Sequence, residues 1–358
     1  MRTFRIAVLG GDGIGPDVVA EGVKVLQSIE QSLSGVQFTF ADFPAGAGEY
    51  LRNGDPLPAA TFEACQTHDA VLLGAMGLPD VRGPRGTEMA PQLDLRERLE
   101  LYAGLRPIYL YHPSHSPLRS PRAGEIDFVI VRENTEGLFW SRKNETPADA
   151  DEVNDTLHIS RLGAERVIRA AFREATRRRN LVTLVDKSNV LPSMVFFRRI
   201  FDEISREFPQ VRAEKVYIDA AALYLVQRPQ TFDVIVTENM FGDILSDLAA
   251  GLIGGMGMAP SGDVGDKHAV FQPSHGSAPD IAGKGIANPV ATILSAAMML
   301  DWFGDPETAG AAAAIREAVS RVLANPSNAT PDLGGQLTTS QMGDLVAGAV
   351  GEIYVTKM

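Results

Sequence analysis

The stretch VLGGDGIGPDVV, residues 8–19, follows a short apolar run and precedes a helical pattern, as a dinucleotide-binding turn does. The Rossmann fingerprint G-x-G-x-x-G requires a third glycine, which lets the helix pack closely on the strand beside the pyrophosphate. Gly11 and Gly13 match the first two positions, but Pro16 stands at the third. Proline suits the first turn of a helix, where its missing N–H is not needed. The stretch therefore predicts a strand, a loop and a helix that do not form a classical Rossmann turn.

Short β-rich apolar runs alternate with helical patterns along the chain. The predicted strands cover residues 4–9, 36–40, 70–74, 126–131, 181–185 and 233–237. The predicted helices begin with one opened by Pro16 and continue with 160–179, 190–207, 219–227, 243–253, 289–303 and 308–324. Asn288 is expected to cap the helix that Pro289 starts. This alternation predicts an α/β fold with a largely parallel sheet.

Composition narrows the class of protein. The 358 residues are enough for about two domains. The net charge of −12 disfavours nucleic acid and anionic membranes as partners. Cys65 is the only cysteine, which excludes an intrachain disulfide and fits a reducing compartment. With no apolar run of spanning length and no signal segment, we expect a cytoplasmic protein.

Three carboxylates suggest a metal site. Asp243 and Asp247, in FGDILSDLA, are four residues apart on a predicted helix, so they share one face and repel. A hard divalent cation would offset that repulsion, whereas the competing interpretation is two solvated carboxylates, and the residues alone leave both open. Asp219 begins YIDAAALYLV, and taken by itself it is best explained as a helix cap.

Three arginines suggest an anionic ligand. Arg132 ends an apolar strand, where a charge needs a partner. Arg96 occurs in LDLRERL and Arg106 in GLRP. Arginine binds carboxylates in a bidentate manner, so the three favour a small anionic molecule. Lys187 follows a strand end in VDKSNV, where α/β sites collect, although by itself it is best explained as a surface charge.

The segment HGSAPDIAGKGIANP, residues 275–289, is rich in glycine and small residues. Such a backbone can approach a flat ligand closely, and Asp280 could accept hydrogen bonds from a ribose diol. The alternative is an irregular loop between two elements.

Taken together, these motifs resemble the β-decarboxylating dehydrogenases, which act on 3-isopropylmalate, isocitrate, homoisocitrate, tartrate or D-malate. The matching pieces occur in the family's order along essentially the whole chain: GDGIGP, LR…LRP, VRENTEG, VDKSNV, YIDA, FGDILSDLA, HGSAPDIAGKGIANP and PDLGG. The resemblance implies an isopropylmalate dehydrogenase-like fold, in which two α/β domains enclose a cleft and which is not a classical Rossmann fold. It implies a cofactor domain from residues 1–101 plus 254–358 and a substrate and dimerisation domain from 102–253.

The resemblance also implies the cofactor. It assigns the cofactor site to His275, Gly276, Ser277, Ala278, Asp280, Ile281 and Asn288. Members that prefer NADP carry Lys and Tyr at the positions of Asp280 and Ile281. A carboxylate repels a 2′-phosphate and accepts a hydrogen bond from a 2′-hydroxyl, so NAD is the expected cofactor.

A homodimer with shared active sites is implied as well. Mg²⁺ or Mn²⁺ would be held by Asp243 and Asp247 of one chain and Asp219 of the other. Lys187 of the second chain would handle the hydroxyl proton, so that Lys187 and Asp219 are the expected catalytic residues. A small dicarboxylate would bind at the three arginines, Arg96, Arg106 and Arg132. The expected reaction is the oxidative decarboxylation of a 2-hydroxy acid that bears a 3-carboxylate.

The chain departs from the family pattern at two places. Phe139, in RENTEGLFWSR, stands where members carry the tyrosine that protonates the enol, and Tyr102 and Tyr224 are alternative acids. Gln92 and Leu93 lie one helical turn before Arg96, where 3-isopropylmalate enzymes carry leucines. We expect 3-isopropylmalate, an intermediate of leucine biosynthesis, or a related 3-substituted malate as substrate. A tartrate, D-malate or isocitrate enzyme is the alternative, and a non-catalytic NAD-binding dimer is an alternative of another class.

Overall fold

The computed structural model describes residues 1–147 and 149–357, within which ten strands form one continuous sheet. The strands are β1 (Arg2–Gly11), β2 (Val36–Asp42), β3 (Ala70–Ala75), β4 (Ala103–Tyr109), β5 (Asp127–Glu133), β6 (Leu181–Asp186), β7 (Arg212–Tyr217), β8 (Val234–Thr237), β9 (Pro260–Val264) and β10 (Ala269–Pro273). Their order across the sheet is β2-β1-β3-β10-β9-β4-β5-β8-β6-β7. Pairs are parallel towards both edges and antiparallel among β10, β9, β4 and β5 at the centre.

Helices cover both halves of this sheet. They are α1 (Gly15–Glu30), α2 (Ala47–Asn53), α3 (Ala59–Thr67), α4 (Pro91–Arg98), α5 (Arg161–Thr176), α6 (Pro192–Ser205), α7 (Ile218–Gln227), α8 (Asn239–Gly251), α9 (Val290–Trp302), α10 (Pro306–Leu323) and α11 (Thr339–Lys357). Helices α1, α9, α10 and α11 pack on one another beside β1, β3 and β10, whereas α5 and α6 cover β5, β6 and β8. The α/β prediction is confirmed, and the arrangement is not a classical Rossmann fold.

The predicted strands correspond to β1, β2, β3, β5, β6 and β8, but four observed strands were not predicted. Strands β4 and β9 contain Pro107 and Pro260, and β9 starts inside the Gly/Pro-rich patch of residues 254–262, whose composition indicates a hinge or simply a loop. Proline and glycine are normally depleted in strands, so composition hides them. These two strands pair with each other at the centre of the sheet, and β5 and β10 pair with their outer edges. This pairing on both sides holds them as strands although their sequences are irregular.

Every helix start predicted from residue 160 onward differs from the observed one by one to four residues, and three of these differences bear on predicted site residues. Helix α8 begins at Asn239 rather than at residue 243, because the Glu238 carboxylate accepts hydrogen bonds from the first backbone N–H groups. Helix α9 begins at Val290, one residue later than predicted, although Asn288 Oδ1 does accept from Val290 N at 3.0 Å. The capping interpretation of Asp219 is wrong, since Tyr217 occupies the capping position and Asp219 lies in the first turn of α7.

The predicted domain boundaries fall just before β4 and between α8 and β9. Because β4 pairs with β9, the two predicted domains share one sheet, and a large hydrophobic core continues from β1 to β8. The division into a cofactor domain and a substrate domain stays a prediction. None of the helices in the described part of the chain is both long and apolar enough to cross a membrane.

Candidate active site

One cavity of about 260 Å³ brings together most of the residues that the sequence predicted for a substrate and metal site, but not Asp219. It lies where α4, α8 and the ends of β3, β4, β5 and β10 meet. Its lining includes Gln92, Leu93, Arg96, Arg106, Arg132, Phe139, Asp243, Asp247, His275 and Gly276. These residues are spread over most of the chain, so the fold rather than any local motif assembles the site.

The three arginines are buried around this cavity, which makes their charges costly without partners. Asp263 on β9 forms ion pairs with two of them: Arg96 Nε lies 2.8 Å from Oδ2 and Arg106 Nη2 lies 2.9 Å from Oδ1. Burial alone would raise the pKa of Asp263, but the two guanidiniums outweigh it and hold that pKa well below its usual range. The arrangement is a permanently charged clamp suited to carboxylates.

Arg132 is held by the start of α8. Its Nε and Nη2 donate to Asn239 Oδ1 at 3.0 and 2.7 Å, and Nη1 donates to Asp243. Gly242 is required there, because a Cβ at that position would lie 2.6 Å from Arg132 Cγ. Burial, and then repulsion from Arg96, lower the pKa of Arg132 to about 10, so it remains charged at neutral pH.

Asp243 and Asp247 lie on one face of α8 and both line the cavity, as their spacing predicts. Partial burial and repulsion from Asp243 raise the pKa of Asp247, which means that a nearby cation would stabilise its charged form. Carboxylate oxygens are the ligands that Mg²⁺ and Mn²⁺ prefer, so the pair fits such an ion. Within the described residues of a single chain, however, no third His, Cys, Asp or Glu completes a metal-binding group.

Lys187 and Asp219 form a separate pair outside this cavity. Lys187 Nζ lies 2.9 Å from Asp219 Oδ1, and the Asp219 side chain is largely exposed. The hydrogen bond from Lys187 lowers the pKa of Asp219. Exposed apolar side chains follow each of the two residues in sequence or lie on the adjoining helix α8: Val190, Val195, Leu223, Val226 and Ile244. A charged pair beside an exposed apolar surface is typical of a protein–protein interface.

The GDGIGP loop packs against the predicted cofactor loop. Ile14 N donates to Ser277 O at 2.8 Å, and a Cβ on Gly13, whose φ is +58°, would lie 1.9 Å from that same oxygen. Gly11 is equally restricted by Ala75 O. Asp12 between them accepts hydrogen bonds from Ala47 N, Gly48 N and Gly77 N at 2.7 to 2.8 Å. The glycines therefore join two loops rather than approach a pyrophosphate.

The predicted cofactor residues occupy one continuous loop between β10 and α9. His275 lines the cavity, and its Nε2 is buried without a hydrogen-bond partner in the described structure, which fits a ligand that supplies one. Burial lowers the pKa of His275, so the ring is neutral at neutral pH. Gly276 and Asp280 are exposed, and Ala278 and Ile281 are partly exposed. This open, glycine-rich face fits a flat nucleotide.

Two of the predicted cofactor residues instead have structural contacts. Ser277 is buried and its hydroxyl donates to Gly77 O. Asn288 is buried, and its Nδ2 donates to Asp332 Oδ2 at 3.0 Å, in the PDLGG segment. Both residues shape the loop through these contacts, and their roles toward a cofactor stay predictions.

Comparisons with known proteins agree with this geometry. The family model described as isocitrate/isopropylmalate dehydrogenase matches residues 5–346. The chain belongs to this family. It is 47% identical over 356 residues to a 3-isopropylmalate dehydrogenase of Moorella thermoacetica, which covers 96% of this chain and 98% of the relative. A 3-isopropylmalate dehydrogenase of Corynebacterium aurimucosum is 45% identical, covering 97% and 99%. A crystal structure of isocitrate dehydrogenase from Methylococcus capsulatus superimposes with a TM-score of 0.87 at 38% identity, covering 97% and 99%.

In this β-decarboxylating dehydrogenase, Phe139 lines the cavity from the 3-10 turn Leu138–Lys143. Its ring centroid lies 5.2 Å from the guanidinium carbon of Arg132, so the ring faces a clamp arginine. The tyrosines that the sequence offered as alternative acids lie elsewhere. The Tyr102 hydroxyl donates to Asp266 at 2.9 Å, and Tyr224 stacks with Arg228. Neither tyrosine lines the cavity within the described chain.

Ion pairs connect helix α4 of the dehydrogenase to this turn. Arg142 Nη2 lies 2.7 Å from Asp94 and 2.8 Å from Glu97, and Lys143 Nζ lies 2.6 Å from Glu97. Helix α4, which carries Gln92, Leu93 and Arg96, is thereby held beside Phe139. Gln92 Oε1 is buried without a partner in the described structure.

Sequence reasoning missed three supporting residues of this dehydrogenase: Asp12, Asn239 and Asp263. Asp263 comes directly after the Gly/Pro-rich patch of residues 254–262, and a single buried aspartate there gives no periodic signal. Asn239 precedes the FGDILSD motif and holds Arg132, whereas Asp12 lies inside the quoted loop. The signal that could have found Asp263 is charge balance, because three buried arginines require a buried carboxylate.

Proposed function

We propose that this chain catalyses the NAD⁺-dependent and Mg²⁺- or Mn²⁺-dependent oxidative decarboxylation of a 3-substituted malate, with 3-isopropylmalate as the first candidate. We further propose that it acts as a homodimer in which each active site uses residues of both chains. The observation that carries the proposal is the division of the predicted site. The three clamp arginines and the carboxylates of Asp243 and Asp247 line one cavity, whereas Lys187 and Asp219 lie outside it.

The division is consistent with a shared site. Within the described residues of one chain, no third acidic ligand joins the two carboxylates of the cavity, and Asp219 is an exposed acidic residue on α7, which also carries the exposed apolar Leu223 and Val226. If that surface pairs with the same surface of a second chain, two-fold symmetry supplies the missing groups to both cavities at once. In such a dimer the exposed apolar side chains of α6, α7 and α8 would be buried.

The chemistry of the residues fits the reaction. The clamp arginines would hold the carboxylates of the substrate and orient C2 and its hydroxyl in the cavity. The partner subunit's Lys187 would accept the hydroxyl proton. When bound, NAD⁺ supplies the acceptor of the C2 hydrogen, and the divalent ion supplies positive charge beside the oxygens of the substrate. Buried Arg132 would stabilise negative charge that develops as CO₂ leaves.

The pocket wall sets the substrate preference. Met76, Leu93 and Phe139 give the cavity an apolar side that suits an isopropyl group. The unpartnered carboxamide oxygen of Gln92 is the observation that favours a second candidate, a malate with a polar substituent such as isocitrate or tartrate. A buried amide without a partner favours a ligand that hydrogen-bonds to it.

The test is NADH formation by the purified protein with Mg²⁺ or Mn²⁺ and a panel of 3-isopropylmalate, isocitrate, tartrate and D-malate. We expect the highest kcat/KM with 3-isopropylmalate, and loss of activity in excess chelator. Asp247→Asn should abolish metal-dependent activity without unfolding the protein, and Asp301→Asn, at an exposed ion pair on α9, is the matched control. Full activity of Asp247→Asn, or activity in chelator, would contradict the proposed metal site.

A further inference from the structure

Asp263 lies behind the cavity, and its hydrogen-bond partners line it. Its side chain is 1% exposed. Besides Arg96 and Arg106, Gln272 Nε2 donates to Oδ2 at 2.9 Å, so one carboxylate connects α4, β4 and β10. Two neighbouring guanidiniums repel each other, and a shared carboxylate removes that repulsion while it fixes their orientation.

The contacts leave part of each guanidinium available. In the described structure Arg96 uses only Nε for its hydrogen bond, which leaves both terminal nitrogens for a ligand. Arg106 uses Nη2 toward Asp263 and Nη1 toward Leu105 O at 3.2 Å. A guanidinium presents its N–H groups in a rigid plane, so fixing one edge also fixes the direction of the others.

We propose that Asp263 is a positioning residue, which orients Arg96 and Arg106 so that they receive the substrate carboxylate. The inference rests on the proposed function, since it requires a dicarboxylate in the cavity. A residue that merely neutralised charge would have the opposite effect on binding. Removing its charge would make the cavity more positive and would strengthen the binding of a dianion.

The test is Asp263→Asn, which keeps the size of the side chain but places an amide N–H against a donor of the clamp. We expect the KM for 3-isopropylmalate to rise at least tenfold, with a smaller change in kcat, because ground-state binding is lost. The thermal shift that 3-isopropylmalate with Mg²⁺ produces in the variant should shrink in parallel. An unchanged or lowered KM would overturn the proposal.

Two further variants separate orientation from stability. Asp233→Asn is the matched control, because Asp233 is equally buried and accepts from Arg178 Nε at 2.9 Å, away from the cavity. It should lower the melting temperature and leave KM unchanged, and an equal rise in KM would contradict the proposal. Asp263→Asn combined with Gln272→Glu returns a carboxylate to the same pocket from β10, and should lower KM at least threefold relative to Asp263→Asn. No recovery would contradict an orienting carboxylate.

If Asp263→Asn does not fold, Gln272→Met carries the test. It removes the N–H that fixes Asp263 Oδ2 without changing the charge, and KM should rise two- to fivefold, whereas an unchanged KM would overturn the proposal. Failure of the proposed function is distinguishable. The unmodified protein would then show neither NADH formation nor a thermal shift with any malate of the panel.

Discussion

Phe139 is the residue at which the site chemistry departs from the family pattern. Its ring faces Arg132 across the cavity, and a phenyl ring has no proton to give. Tyr102 and Tyr224 have contacts elsewhere, so within the described chain no tyrosine hydroxyl lines the cavity to act as the acid. We infer that the protonation of the enol is left to water or to a group of the second chain.

Phe139→Tyr is therefore expected to raise turnover. A positioned hydroxyl could increase kcat by about tenfold, which corresponds to about 1.4 kcal/mol of barrier. Steady-state kinetics gives kcat, and rapid quenching shows whether the native enzyme releases unprotonated enol or undecarboxylated 2-oxo acid. Phe139→Leu is the control, since it changes the ring without adding a hydroxyl. Unchanged turnover in Phe139→Tyr, together with fully protonated product from the native enzyme, would show that the departure is silent.

Asp280 is the residue that we propose sets the choice of dinucleotide. Its carboxylate is exposed on the loop between β10 and α9 and would repel a 2′-phosphate. We predict that kcat/KM with NAD exceeds that with NADP by at least about tenfold, or about 1.4 kcal/mol. Asp280→Asn keeps a hydrogen-bonding group and removes the charge, so the preference should shrink. A native preference for NADP would mean that the loop does not bind the adenosine half.

At the scale of the elements, Asp12 stabilises the packing of the loop between β1 and α1 against its neighbours. Its buried carboxylate accepts hydrogen bonds from three backbone N–H groups, two in the first turn of α2 and one in the segment after β3. Asp12→Asn turns an amide N–H toward a donor, and should lower the free energy of unfolding by about 2 kcal/mol. Urea denaturation measures the change. Glu63→Gln on exposed α3 is the control and should stay within about 0.5 kcal/mol of the native protein. Equal effects of both substitutions would show that Asp12 is not a structural centre.

Periodicity predicted the elements that bury one continuous face, and it failed where an element is held by its neighbours. Helix α5 has a clear apolar stripe, and it was predicted almost to its ends. Strand β9 contains proline, glycine and aspartate, and it is a strand because β4 and β10 pair with it on both sides. The same strand carries Asp263. Sequence motifs thus predicted the residues that face the cavity. Asp263, which lies behind them, could be recognised only from the folded structure.

At the scale of the whole molecule, the proposed site is divided between two places on one chain. The cavity holds the three clamp arginines, Asp243 and Asp247, whereas the Lys187–Asp219 pair lies outside it, and exposed apolar side chains occur on α6 and on the adjoining helices α7 and α8. Leucine, valine and isoleucine side chains at such a surface favour association with a second copy. The central claim is that the second copy supplies Lys187 and Asp219 to the cavity of the first.

Mixing two inactive variants tests that claim most directly. Lys187→Met and Asp247→Asn should each abolish NADH formation as homodimers. In a mixed dimer, one site combines the intact cavity of the Lys187→Met chain with Lys187 of the other chain, while the second site has lost both groups. Unfolding and refolding an equimolar mixture should restore about a quarter of native activity, since half of the dimers would be mixed and each would hold one intact site. Sites formed within single chains would give no recovery, and that result would contradict the shared active site.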